Sequence, residues 1–158
     1  MTAATGALTD AGVEFRLLRH GRVRSVAEAA AALGVEVADV VKTLVVRRAD
    51  DDYVLVLVPG DRVISWAKLR AVLGVNRLSL PDAAAAKEAT GYERGTITPF
   101  GTARPWPVIA DDRIPGRTIT LGTGEHGAAV ALDADEALAA LKATVADITD
   151  PDAGTPRT

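Results

Sequence analysis

Two β-branched apolar runs, VVKTLVVRR at 40–48 and YVLVLVP at 53–59, stand on either side of three consecutive aspartates, Asp50, Asp51 and Asp52. Each run has the length of a strand. The polar break between them is far too short for the crossover of a dozen or more residues that parallel neighbours need. The pair predicts an antiparallel hairpin, and its apolar content puts that hairpin at the centre of a sheet. The rest of the chain then has to cover it.

The flanking sequence alternates helical and extended patterns. Residues 3–11 read as an alanine-rich helix closed by Gly12, and 13–18 as a strand. Ser25 and Glu28 form a capping-box pattern for a helix that reaches Leu33 and stops at Gly34. Ser65 caps a helix ending before Gly74, 75–80 is a short strand, and Asp82 caps a helix over 83–89. Periodicity disappears over 90–107, TGYERGTITPFGTARPWP. Strands are expected again at 108–111, 117–121 and 128–132, with a last helix near 135–143 behind an Asp133–Glu136 cap. There is no internal repeat. The pattern predicts an α/β fold of the α+β type with a mixed or largely antiparallel sheet. The spacing is too irregular for a doubly wound parallel sheet.

At 158 residues the chain is one domain. That domain is expected over 1–149, followed by a polar tail at 150–158 (DPDAGTPRT) expected to be disordered. No apolar run approaches the ~20 residues that span a bilayer, and the N-terminus lacks the pattern of a signal peptide. A soluble, cytoplasmic protein without a membrane partner is the expectation.

Common catalytic hardware is scarce. With no cysteine there is no thiol nucleophile, disulfide or thiolate metal site. His20 and His126 form no HExxH pair, and neither a P-loop nor a Gly-x-Ser-x-Gly elbow occurs. No cofactor and no metal are expected. A net charge of −3 argues against a grip on DNA or RNA by bulk electrostatics.

Three local features stand out. Lys42 shares a strand face with Leu44 and Val46, whereas Val41, Thr43 and Val45 share the other. Either its stem lies on the core with the head in water, or its ammonium stands at a pocket edge to bind phosphate or a substrate oxygen. The stretch from Gly91 to Gly101 holds three glycines and a proline. It is either an ordinary surface loop or a shaped one whose free amides hold an anion or a developing oxyanion. Arg16, Arg19, His20, Arg22 and Arg24 form a basic run, which is a solvated face or the mark of a weak RNA binder. Trp106, between Pro105 and Pro107, packs or sits at a pocket rim.

These features follow one another in a recognisable order: HGRVRSVAEAA from His20, VVKTLVV from Val40, TGYERGTITPFG from Thr90, PVIAD from Pro107 and LGTGEHG from Leu121. The chain resembles the YbaK/EbsC family, relatives of the editing domain of bacterial prolyl-tRNA synthetase. The resemblance covers roughly residues 7–148. It implies a mixed, mainly antiparallel, curved sheet flanked by helices, and hydrolysis of tRNA carrying the wrong amino acid. It implies that Lys42 is the functional lysine. It further implies that His20, Gly91, Tyr92, Gly95, Thr96, Ile97, Thr98, Pro99, Gly101, Asp111, Gly122, Thr123 and Gly124 bind substrate. Thr96, Thr98, the Gly122–Thr123–Gly124 bend, Glu125 and His126 depart from the family's usual residues, which bears on pocket size and tRNA contacts.

The activity implied is that of a freestanding trans-editing aminoacyl-tRNA deacylase. Its substrate is expected to be a small amino acid, Cys or Ala, on tRNA(Pro), held at the acceptor end, with an aminoacyl-tRNA synthetase as a further partner. The other reading is a non-catalytic module that binds an aminoacyl end or a small molecule.

Overall fold

The computed structural model describes residues 2–152. In chain order the elements are α1 (Ala3–Asp10), β1 (Phe15–Arg19), α2 (Val26–Leu33), a 3-10 turn (Val37–Asp39), β2 (Lys42–Ala49), β3 (Asp52–Val58), β4 (Arg62–Ile64), α3 (Trp66–Leu73), α4 (Ala83–Thr90), β5 (Val108–Asp111), β6 (Thr118–Gly122), β7 (Ala128–Asp133), α5 (Ala134–Leu141), β8 (Thr144–Ala146) and β9 (Thr149–Pro151).

The aspartate-bounded pair forms the expected antiparallel hairpin, with Lys42 opposite Val58 and Val46 opposite Val54. β3 continues the sheet through parallel β5, which pairs with parallel β8. A second sheet runs β1-β7-β6, antiparallel throughout. The two sheets meet where Val40 bridges Thr120 in parallel and the Val41 amide donates to the Thr120 carbonyl at 3.0 Å. Counted across that bridge the order is β1-β7-β6-β2-β3-β5-β8, so the hairpin does lie at the centre. β4 and β9 form a separate antiparallel pair. The sheet is mixed, with most of its paired residues in antiparallel register, and helices flank it.

Every residue of β3 after Asp52 is buried. Its pairing with β2 sorts the side chains to two faces. Val45, Leu55 and Leu57 face a cluster built with Ala4 and Leu8 of α1, Ala86 and Ala89 of α4, Ala137 and Leu138 of α5, and Ile119, Leu121, Val130 and Leu132. The even-numbered Val46, Val54, Val56 and Val58 pack with Leu69 of α3 and Ile148 on the other face. Alanine on the helix faces lets helices approach the sheet closely, so few aromatics are needed. Trp106 is a packing residue: its Nε1 donates to the Ala89 carbonyl at 2.9 Å, and its ring stands edge-on to Tyr53.

Helix capping follows the sequence. Ser25, Ser65, Asp82 and Asp133 each accept from the amide three residues on. One detail differs: Glu28 reaches past Ser25 and accepts from the Arg24 amide at 3.3 Å.

Other differences are larger. Residues 75–80 do not form a strand. Ser79 alone bridges Arg47, because this segment meets the hairpin only at its frayed end. The first strand starts at Phe15, two residues later than expected, and the last helix ends at Leu141. β4, β8 and β9 were not expected at all. The segment read as a tail from Asp150 begins inside β9, where Asp150 pairs with Val63 and Pro151 with Arg62. The remainder of that expected tail, 153–158, lies outside the described residues. Among the described residues no helix is long and apolar enough to cross a membrane.

Candidate functional site

The loop from Thr90 to Ala103 is closed at its base by the Ala103 amide, which donates to the Thr90 carbonyl at 2.9 Å. Gly91 ends α4, and Tyr92 turns inward. The Tyr92 hydroxyl donates to the Phe100 carbonyl at 2.6 Å, so the ring struts the loop from inside, and burial raises its phenol above the ordinary value. Gly101 passes so close to this strut that a Cβ there would lie 2.8 Å from the Tyr92 hydroxyl oxygen. Thr96 is buried, with its hydroxyl and its amide both donating to the Glu93 carbonyl, at 2.7 and 3.0 Å. Thr98 and Pro99 are buried too, whereas Gly95 is exposed and Ile97 half-buried. Gly91, Glu93 and Arg94 of the same loop are exposed as well.

The loop and the bend after β6 form one unit. The Gly124 amide donates to the Thr96 carbonyl at 2.9 Å. A Cβ at Gly122 would sit 2.9 Å from the Thr96 oxygen and 3.0 Å from the Ile97 oxygen, and one at Gly124 would strike the Tyr92 ring. Buried Thr123 pins the bend by accepting from the Glu125 amide at 3.2 Å. Its hydroxyl is also within 3.4 Å of the Ala128 carbonyl. At the far end of the bend the His20 amide donates to the Gly127 carbonyl at 2.9 Å. His126 reaches back to Glu93 at 3.2 Å, which, with Lys87, holds the Glu93 carboxyl below the usual carboxylate range.

This packing fixes where the loop's amides point. A trans peptide sets its carbonyl and its N–H in opposite directions, and the described chain has no cis bond. The Thr96 and Ile97 carbonyls face Gly122, so the N–H groups in the same two peptides, those of Ile97 and Thr98, face away from β6. Neither has an acceptor among the described residues, and nor does the Gly95 amide.

β2 runs beside this unit. Lys42 and Gly122 each lie two residues beyond the Val40–Thr120 bridge, where β2 and β6 part. Lys42 stands on the face of the second cluster and is half-buried, and its Nζ donates to the Arg62 carbonyl at 2.8 Å. Burial pushes its ammonium below the ordinary lysine value, partly countered by Asp152 and Asp61. Thr43 is turned to the other face, the one that carries the glycine loop. Its hydroxyl and the Nδ1 of His20 are the two buried side-chain polar atoms without a partner among the described residues. The sequence marks Thr43 only by its parity opposite Lys42.

Asp111 is not placed with the glycine loops. It is fully buried, and its carboxylate accepts from the Ile148 amide, the Thr149 hydroxyl, and the amide and guanidinium of Arg113. Asp111, Asp112 and Asp147 lie close enough to share a cation, but one guanidinium nitrogen of Arg113 already bridges all three, at 3.0–3.2 Å. In the basic run, Arg19 pairs with Glu125 at 3.3 Å, while Arg16, Arg22 and Arg24 are exposed.

The model of one family, the aminoacyl-tRNA editing domain, matches residues 20–140, which include the lysine strand, both glycine segments and His20. The chain belongs to that family. Proline–tRNA ligase of Thermosipho melanesiensis is 37% identical to this editing domain over 101 residues, 64% of the chain but 18% of the ligase. The ligase of Bacillus licheniformis is 32% identical over 108 residues, 65% of the chain and 19% of the ligase. The matched region is thus about a fifth of the length of these relatives. A solved structure described as a candidate trans-editing enzyme for prolyl-tRNA synthetase superposes with a TM-score of 0.86 at 28% identity, over 94% of this chain and 95% of that one. Over that span the editing domain shares its fold with a solved relative.

Proposed function

We propose that this editing domain hydrolyses the ester between a small amino acid, Cys or Ala, and the terminal ribose of tRNA(Pro), acting in trans on the acceptor end. The observation that carries this reading is the pair of amides, Ile97 and Thr98, without an acceptor among the described residues, whose peptides are held by the packing of the Thr96 and Ile97 carbonyls on Gly122. An aminoacyl ester is already activated and needs no strong protein nucleophile. What it lacks is a preorganised set of donors for the carbonyl oxygen as charge develops, and removing one such donor typically costs about 10²–10³ in rate.

Lys42 stands where β2 and β6 part. Its Nζ has three protons, of which one goes to Arg62. From the sheet face opposite the loop, the ammonium acts across the opening between β2 and β6, where it holds the terminal ribose or its phosphate. Water, or a neighbouring hydroxyl of the substrate, makes the attack. Ile97 bounds the side-chain pocket, and a synthetase or the acceptor stem supplies the tRNA selectivity. Pocket volume alone separates one methylene by only about 1–3 kcal/mol, which is the chemical need that editing meets.

The test is a deacylation panel with Ala-, Ser-, Cys- and Pro-charged tRNA(Pro) and with Cys-tRNA(Cys). Selective release of Cys or Ala from tRNA(Pro) is the expected result. No release from any of them by folded protein would favour a non-catalytic binding module instead.

The pH dependence is a separate check. Burial lowers the Lys42 pKa, so its ammonium is lost at lower pH than an ordinary lysine's. If the charged form is the active one, enzymatic release, corrected for spontaneous ester hydrolysis, declines as pH rises through that depressed value. A rate that keeps rising to the ordinary lysine range of about 10.4 would show that the ammonium is not required.

A further inference from the structure

The hydrogen bonds that gather on Asp111 lead, through the side chain and then the backbone of Arg62, to the ammonium of Lys42. Asp111 Oδ1 accepts from the Thr149 hydroxyl at 2.9 Å and from the Ile148 amide at 3.3 Å. Having given its proton to Asp111, the Thr149 oxygen accepts from Arg62 Nε at 2.6 Å, and Arg62 Nη2 donates to the Thr149 carbonyl at 3.2 Å. The Arg62 carbonyl is the acceptor of Lys42 Nζ. Asp111 and Thr149 are both fully buried.

The strands along this path cannot hold themselves. β4 and β9 have three residues each, and Pro151 of β9 has no N–H for the ladder. An isolated two-stranded ribbon is marginal even when longer. One backbone bond flanks the pair at each end, from the Ser65 amide to the Ile148 carbonyl at 2.8 Å and from the Asp152 amide to the Asp61 carbonyl at 3.1 Å, and side chains fix it further: Asp111 from β5 on one side, and Lys68 of α3, which donates to the Thr149 carbonyl at 3.1 Å and pairs with Asp147 and Asp150, on another.

We propose that Asp111 is a positioning residue for Lys42. It fixes β9 through the Thr149 hydroxyl, Thr149 fixes Arg62, and the Arg62 carbonyl sets where the ammonium stands. The assignment rests on the reading of Lys42 given above and gives Asp111 a role away from the aminoacyl pocket.

The Thr149 hydroxyl is the link that can be cut most cleanly. Thr149→Val keeps the shape and removes both hydrogen bonds, whereas Thr149→Ser keeps them. Deacylation by Thr149→Ser is expected within about twofold of the parent. Thr149→Val should lose about tenfold or more in kcat with little change in KM, since misplacing a group by about 1 Å can cost 10²-fold. In the same variant the 13Cε signal of Lys42 should titrate closer to an ordinary lysine, as the cover over the ammonium loosens. Should Thr149→Val not fold, Arg62→Met removes the next link while keeping an apolar stem, and the same two changes are expected.

Lys42→Ala is measured alongside. An inactive Lys42→Ala together with a folded Thr149→Val of parental kcat and unchanged Lys42 titration would overturn the relay. Equal losses in Thr149→Ser and Thr149→Val would also overturn it, reducing Thr149 to packing. An active Lys42→Ala would instead overturn the reading of Lys42 itself.

Discussion

Lys42→Ala should reduce deacylation by about 100-fold or more and leave the chain folded. Two physical terms separate here. Catalytically, the ammonium is the one cation at the parting of β2 and β6 that the proposed mechanism uses, and losing an electrostatic contact to the reacting centre costs on the order of 10²–10³ in rate. Structurally, the same ammonium is held at a cost: burial lowers its pKa, which means that the charged form is worse solvated here than in the unfolded chain. Removing it deletes one hydrogen bond to a backbone carbonyl, worth about 1 kcal/mol, and also removes that desolvation cost. The melting midpoint should therefore change little, and Lys42→Met, which keeps the packed stem, should match or exceed the parent. Calorimetry beside single-turnover deacylation checks both. A large fall in stability together with activity would assign Lys42 to structure alone, and parental turnover in folded Lys42→Ala would defeat the mechanism.

Much of the fold was legible because it is stated locally. The hairpin follows from β-branched runs on either side of Asp50–Asp52, and four helix starts follow from Ser25, Ser65, Asp82 and Asp133, whose side chains find the amides three residues on. Alternation along β2 also separated Lys42 from Thr43 correctly. What stayed hidden is what only tertiary contact creates. Arg62–Ile64 and Thr149–Pro151 are three residues each, too short to carry a strand pattern, and their pairing is supported by contacts from Asp111, Arg62 and Lys68. Residues 75–80 have the composition of a strand, but only Ser79 pairs, with Arg47 on the outer edge of β2. Asp111 was visible as a residue but not in its place, since its partner Thr149 is 38 positions away. The acceptor for Lys42 is a backbone carbonyl, and carbonyls have no signature in a sequence. The glycine segments show the same division. Their glycines were evident from composition, but that Gly122 faces two carbonyls of the other loop follows only from the packing.

That packing leads to the second large effect. Gly122→Ala should lower kcat by about 100-fold at a stability cost of only about 1–3 kcal/mol, the usual range for overpacking by one methyl group. Gly122 does not have a positive φ, so alanine adds no backbone strain. Its methyl group would instead press on the Thr96 and Ile97 oxygens, at 2.9 and 3.0 Å. Those oxygens belong to the same rigid peptide planes as the Ile97 and Thr98 amides, so pushing the carbonyls re-aims the two donors. The loss should therefore appear in kcat rather than in KM, because the change re-aims donors that act on the developing charge. Thr96→Gly releases the turn that the Thr96 hydroxyl pins to the Glu93 carbonyl and lets the loop yield. Combined with Gly122→Ala it should give a smaller loss than the product of the two single losses, as expected when two changes act on one peptide. Gly122→Ala with parental kcat, or strict additivity in that cycle, would mean that the Ile97 and Thr98 amides do not face the reacting carbonyl.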